Sequence, residues 1–163
     1  MKYFAYGSNM SLARLSARVP SAKRLGTYTL WQHTLKFHKL SHDGSGKCDA
    51  YYTGSLQDKV LGALFDICES EKPYLDKVEG LGIGYNEKTV LVEDEFGNKQ
   101  QATTYYAICI DSDSTPYCWY KNHVLVGARE SALPPSYVAL IEDVTFVADK
   151  DIARATKENL IHI

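Results

Sequence analysis

The sequence predicts an α+β fold: a small mixed, barrel-like β-sheet with peripheral helices. Three observations point there. Aromatic and β-branched runs of strand length recur through the chain. Short turns join several of them in succession, which favours antiparallel pairing. Helical patterns fall between these runs irregularly, without the strict β–α–β order of a parallel sheet.

The elements follow in order. Residues 2–6 are aromatic-rich and break at Gly7, so a first strand runs into the polar turn Gly7-Ser8-Asn9. Ser11 is placed to cap a short helix carrying Leu12, Leu15 and Val19, stopped by Pro20. Residues 25–37 read as one strand. Residues 41–49 are Gly-, Ser- and His-rich without usable period, and read as a mobile connection. Residues 51–56 and 60–67 give two further strands.

Ser70 is a helix cap, with Pro73 in the first turn where a missing N–H costs little. Tyr74, Leu75 and Val78 form that helix's apolar face, and the pattern ends near Gly80. Residues 87–93 and 101–110 flank Glu95-Phe96-Gly97-Asn98 and read as a hairpin. Pro116 opens a helix towards Ala128, residues 137–147 read as helical, and residues 151–160 as a terminal helix.

With 163 residues, 45% of them hydrophobic, the chain builds one core, and residues 1–163 read as a single domain. A net charge of −2 lacks the basic surplus that a nucleic-acid backbone demands. No apolar run is long enough for an export signal or membrane span, so the expected location is cytoplasmic. Cys48, Cys68, Cys109 and Cys118 are far apart, without C-x-x-C spacing, and read as reduced thiols.

Three stretches are candidates for chemistry. The segment Tyr3-Phe4-Ala5-Tyr6-Gly7-Ser8-Asn9 ends a strand in a turn whose successive N–H groups suit a carboxylate; a plain turn capped by Ser8 or Asn9 is the competing reading. Glu79 closes an amphipathic helix ahead of Gly80, Gly82 and Gly84, where backbone can approach a ligand closely. An acid with apolar neighbours there is a candidate proton carrier, and a solvated helix-end glutamate is the alternative. Tyr117 to Tyr120 read as helix packing or ligand contacts, and Arg129 and Glu130 as surface charges or a structural pair. His33, His38, His42, His123 and His162 are scattered, and no cysteine has a cue for a base, so neither metal catalysis nor a thiol nucleophile is expected.

The order of Tyr3-Phe4-Ala5-Tyr6-Gly7-Ser8-Asn9, then Glu79-Gly80 followed by Tyr85, then Gly127-Ala128-Arg129-Glu130 with Leu133-Pro134, resembles the γ-glutamylcyclotransferase family. The resemblance covers residues 3–137 and implies a small mixed barrel with peripheral helices. It implies an enzyme of acyltransferase or lyase type that closes γ-glutamyl amides into 5-oxoproline and releases the amine. Tyr3, Phe4, Ala5, Tyr6, Gly7, Ser8 and Asn9 would hold the γ-glutamyl group, Glu79 would carry protons, Tyr120 would close the pocket, and the third motif would be architectural. It implies no cofactor and no metal, a small-molecule γ-glutamyl substrate, neither nucleic acid nor membrane as partner, and allows a homodimer. A cyclotransferase for one specialised γ-glutamylated amine and a non-catalytic γ-glutamyl-binding protein remain the alternatives.

Overall fold

The computed structural model describes residues 1–163. Seven strands form: β1 (Lys2–Ala5), β2 (Lys23–Trp31), β3 (His33–Leu40), β4 (Gly46–Tyr52), β5 (Lys59–Asp66), β6 (Tyr85–Glu93) and β7 (Lys99–Ala107). Five α-helices accompany them: α1 (Leu12–Ser16), α2 (Lys72–Glu79), α3 (Cys118–Glu130), α4 (Pro135–Glu142) and α5 (Ile152–Asn159). No helix is long and apolar enough to cross a membrane.

Five strands close a barrel in the order β1-β5-β2-β6-β7, as the sequence pattern expects. Neighbours are antiparallel except at the seam, where Tyr3 of β1 meets Thr103 of β7 in parallel. Phe4, Val60, Leu64, Phe65 and Val92 are fully buried, and Leu75 of α2 joins the same core. β6 and β7 pair over their whole lengths, because Asp94 nucleates the turn by accepting the N–H groups of Phe96 (2.9 Å) and Asn98 (2.8 Å).

β3 and β4 form a separate two-stranded sheet, and here the sequence reading needs correction. The expected strand over residues 25–37 breaks at Gln32, whose φ of 63° turns the chain, with its N–H held by the Asp58 carbonyl and its own carbonyl accepting from Thr53. A glutamine in that conformation is set by distant partners, so periodicity does not reveal it. Residues 41–49 are not a mobile connection. Ser45 to Asp49 are buried, residues from 46 onward lie in β4, and the buried Asp49 carboxylate ties β4 to β7 by accepting the Ala107 N–H at 2.8 Å. The strand expected over residues 51–56 accordingly ends at Tyr52, and α4 stops at Glu142 rather than 147. All four cysteines are free.

Candidate active site

β1 delivers the signature turn to the barrel rim. After Ala5 the chain leaves the sheet, and Ser8–Met10 make a single 3-10 turn in which Met10 N–H reaches Gly7 O at 3.0 Å and Ser11 N–H reaches Ser8 O at 3.3 Å. The N–H groups of Gly7, Ser8 and Asn9 are left without an acceptor in the protein, and these three residues line one pocket. Successive free N–H groups of this kind can hold an anion.

Close packing leaves no room for a side chain at position 7 unless a neighbour shifts. A Cβ there would lie 2.9 Å from Cys48 Cβ and 3.4 Å from Tyr120 Oη. The third motif braces the turn from behind. A Cβ on Gly127 of α3 would lie 2.4 Å from Ser11 N and 2.5 Å from Met10 Cβ, so the helix sits directly on the chain. Glu130 of the same helix accepts the Leu12 N–H at 2.9 Å and pairs with Arg24 at 3.0 Å.

Glu79 is the last residue of α2, and Gly80 ends the helix in the left-handed conformation at φ 70°. Glu79 enters the pocket from the side facing the turn. Its Oε1 accepts from Asn9 Nδ2 at 2.9 Å and from Arg18 Nη1 at 3.0 Å, while Arg18 Nη1 also donates to Asn9 Oδ1 at 2.7 Å. Asn9 Nδ2 reaches Tyr3 Oη at 2.9 Å as well. The acid therefore has polar, cationic neighbours rather than the apolar ones its sequence flanks suggest. Its Oε2 has no protein partner.

The remaining wall is phenolic. Tyr85 Oη donates to Cys48 O at 2.6 Å, and Tyr120 Oη accepts the Cys48 N–H at 3.0 Å, so two tyrosines hold the peptide groups on either side of the Cys48 Cα, beside Gly7. Burial holds the Tyr3, Tyr6, Tyr85 and Tyr120 hydroxyls well above their ordinary range, and pushes the Cys48 thiol up to about 12. These groups are neutral near pH 7, and the thiol is a poor nucleophile. No group of three or more His, Cys, Asp or Glu is arranged to hold a metal ion.

Tyr3, Tyr6, Gly7, Ser8, Asn9, Glu79 and Tyr120 thus converge on one pocket. Phe4 and Ala5 do not line it: both are buried in the core, where Phe4 pairs with Leu64 and Ala5 with Ala63 of β5. Cys48, Tyr85 and Tyr105 complete the lining, and Arg18 stands behind Glu79. Of these only Tyr85 carries a sequence signal, through its spacing from Glu79-Gly80.

Comparison with known proteins places the chain in a family. The AIG2-like family matches residues 59–141, just over half of the chain. The γ-glutamylcyclotransferase of Bos taurus is 30% identical over 143 residues, covering 83% of this chain and 73% of the relative. The chain belongs to the γ-glutamylcyclotransferase family. The human γ-glutamylcyclotransferase is 29% identical over the same length. Among solved structures, a γ-glutamyl cyclotransferase superposes with a TM-score of 0.84 at 25% identity, covering 97% of this chain and 98% of that one. An uncharacterised Homo sapiens protein does so at 0.86 and 26%, covering 99% and 98%.

Proposed function

We propose that this γ-glutamylcyclotransferase-family enzyme closes γ-glutamyl amides into 5-oxoproline and releases the free amine, with Glu79 as the proton carrier. The observation that supports this most directly is the half-anchored Glu79 carboxylate. Oε1 is fixed by Asn9 and Arg18, Oε2 is free, and three unpaired N–H groups face the same pocket.

The chemistry needs little else. The substrate's α-amine reaches its own γ-carbonyl in a five-membered ring, and holding that conformer supplies effective molarities of about 10⁵ M or more. Glu79 takes a proton from the α-ammonium, the freed amine attacks the γ-carbon to form the new C–N bond, and negative charge develops on the former carbonyl oxygen. The old C–N bond then breaks as Glu79 returns the proton to the departing nitrogen, and the carboxylate next relays the ring nitrogen's surplus proton to the same nitrogen, which leaves as an ammonium. The Gly7, Ser8 and Asn9 N–H groups are suited to the α-carboxylate or to that oxyanion, and the neutral phenols of Tyr6, Tyr85 and Tyr120 shape the wall.

The test is product identity with a γ-glutamyl amide. The expected first product is 5-oxoproline, and the N-acetylated substrate, whose amine is blocked, should release no amine. Glutamate appearing before 5-oxoproline would show hydrolysis by water instead. Tight binding of γ-glutamyl compounds without turnover would identify a sensor.

A further inference from the structure

Beside Glu79 the pocket holds a phenolic proton that the fold does not use. Arg18 Nη1 can only donate, so the Asn9 atom it meets at 2.7 Å is the side-chain oxygen. Both Asn9 Nδ2 hydrogens are therefore left for Tyr3 Oη and Glu79 Oε1, each at 2.9 Å. Tyr3 Oη accepts from Asn9, and its own hydrogen finds no acceptor in the protein. Tyr3 is only 4% exposed, and a buried donor without an acceptor is unfavourable until a ligand or water takes it.

The other phenols are engaged elsewhere. Tyr6 donates to Tyr105 O at 2.7 Å, Tyr85 to Cys48 O at 2.6 Å and Tyr105 to Asp76 Oδ1 at 2.6 Å, so each offers the pocket lone pairs only. Tyr120 Oη stands against Cys48 and Gly7 and shares no partner with Glu79.

Tyr3 and Glu79 are bound to one nitrogen, and that sets their separation. Two 2.9 Å bonds spread at the roughly 120° of a planar amide put Tyr3 Oη and Glu79 Oε1 about 5 Å apart. That span suits the reacting group. Glu79 must reach both nitrogens bonded to the γ-carbon, and the γ-carbonyl oxygen is on the same carbon, so a donor for it has to stand close to the carboxylate. Burial, reinforced by the Glu79 charge, keeps the Tyr3 hydroxyl protonated.

We propose that Tyr3 is a catalytic residue whose hydroxyl donates a hydrogen bond to the γ-carbonyl oxygen, a bond that strengthens as negative charge develops there. This rests on the cyclisation reading above. The proton stays on Tyr3 throughout, and the oxygen regains its double bond to carbon as the amine leaves. The free N–H groups of Gly7, Ser8 and Asn9 then serve the α-carboxylate.

Tyr3→Phe removes the hydroxyl and keeps the ring that packs edge-on against Tyr105 at 5.9 Å, so the fold should persist. With γ-glutamylalanine, kcat should fall by about 10²-fold, as for the loss of one oxyanion donor, while the calorimetric Kd changes only a few fold. A lower kcat alone would also follow if Tyr3 merely steadied Asn9 and Glu79. The analogue with sulfur in place of the γ-carbonyl oxygen separates the two roles, because sulfur is a weak hydrogen-bond acceptor. The ratio of oxygen-compound to sulfur-compound kcat should be at least ten times larger in the wild type than in Tyr3→Phe. The same ratio in both proteins would reduce Tyr3 to a support for Asn9 and overturn the proposal. A weakened Kd with kcat intact would overturn it too, by assigning the hydroxyl to ground-state binding. Both of those outcomes keep 5-oxoproline as the product and leave cyclisation standing, whereas wild-type protein that forms no 5-oxoproline from γ-glutamylalanine would overturn both readings.

Discussion

Glu79 Oε1 is shared between Arg18 and Asn9, and this sharing fixes the orientation of the carboxylate while leaving Oε2, on the proposed mechanism, to exchange a proton. A glutamine at this position keeps the shape and an oxygen for Arg18 and Asn9 to bond, and loses the proton acceptor. Glu79→Gln is therefore expected to lower kcat by about 10²- to 10⁴-fold, the usual range for removing a general base. Calorimetric affinity for a γ-glutamyl amide should stay within a few fold of wild type. Wild-type kcat in the variant would remove Glu79 from the mechanism. Asn9 spans the site at the same scale: its Nδ2 reaches both Tyr3 Oη and Glu79, so the signature turn and the acid from α2 are held in one register.

At the scale of elements, the pocket exists because the turn after β1 is pressed between β4 and α3. The Gly7 backbone meets Cys48 of β4 on one side, and Gly127 of α3 meets Met10 and Ser11 on the other. Gly7→Val should displace the turn from Cys48 and spoil the alignment of the three free N–H groups. Calorimetric affinity for a γ-glutamyl amide should drop at least tenfold, with a lower Tm, because such overpacking costs about 1–3 kcal/mol. Unchanged affinity would mean that the turn only connects β1 to α1.

Elements whose signals are local were legible in the sequence. Asp94 and Asn98 make the β6–β7 turn, Pro73 sits in the first turn of α2, and Ser11 caps α1 by accepting the Arg14 N–H. β4 was not legible, because its burial depends on Asp49 reaching Ala107 across 58 residues of chain. The site divides in the same way. Glu79 and the Gly7-to-Asn9 turn stand in recognisable motifs, whereas Arg18 and Cys48 enter only through contacts made after the chain has closed.

Across the whole molecule, the carboxy-terminal segment is pinned to α1 and α3 by a polar cluster centred on His123 of α3. Its Nε2 lies 2.8 Å from Glu158 Oε2 and its Nδ1 2.6 Å from His162 Nε2, while Arg14 of α1 donates to Glu158 at 2.6 Å. The arrangement fits a neutral His123 whose Nε2–H donates to an ionised Glu158 and whose Nδ1 accepts from His162. Burial lowers His123 from 6.5 to about 4, and the hydrogen bond from His123, aided by Arg14, lowers Glu158 from 4.5 to about 2. Between pH 6.5 and 4 the unfolded chain binds a proton at His123 that the folded chain refuses. Between 4.5 and 2 the unfolded chain likewise protonates Glu158 while the folded chain keeps it ionised. Both differences make stability fall as pH falls. For His123 the loss is roughly 3 kcal/mol by pH 4, at 1.36 kcal/mol per unit. Denaturant titrations at pH 7.5 and 4.5 should therefore show a falling midpoint. His123→Gln, which keeps a polar group in the cluster and cannot protonate, should show a shallower fall. Arg14 belongs to the helix that follows the signature turn, so detaching the segment should also loosen that turn. Activity should then decline together with the unfolding midpoint on acidification in the wild type, and less steeply in the variant. The same acid slope in both proteins would show that the cluster does not govern the pH response.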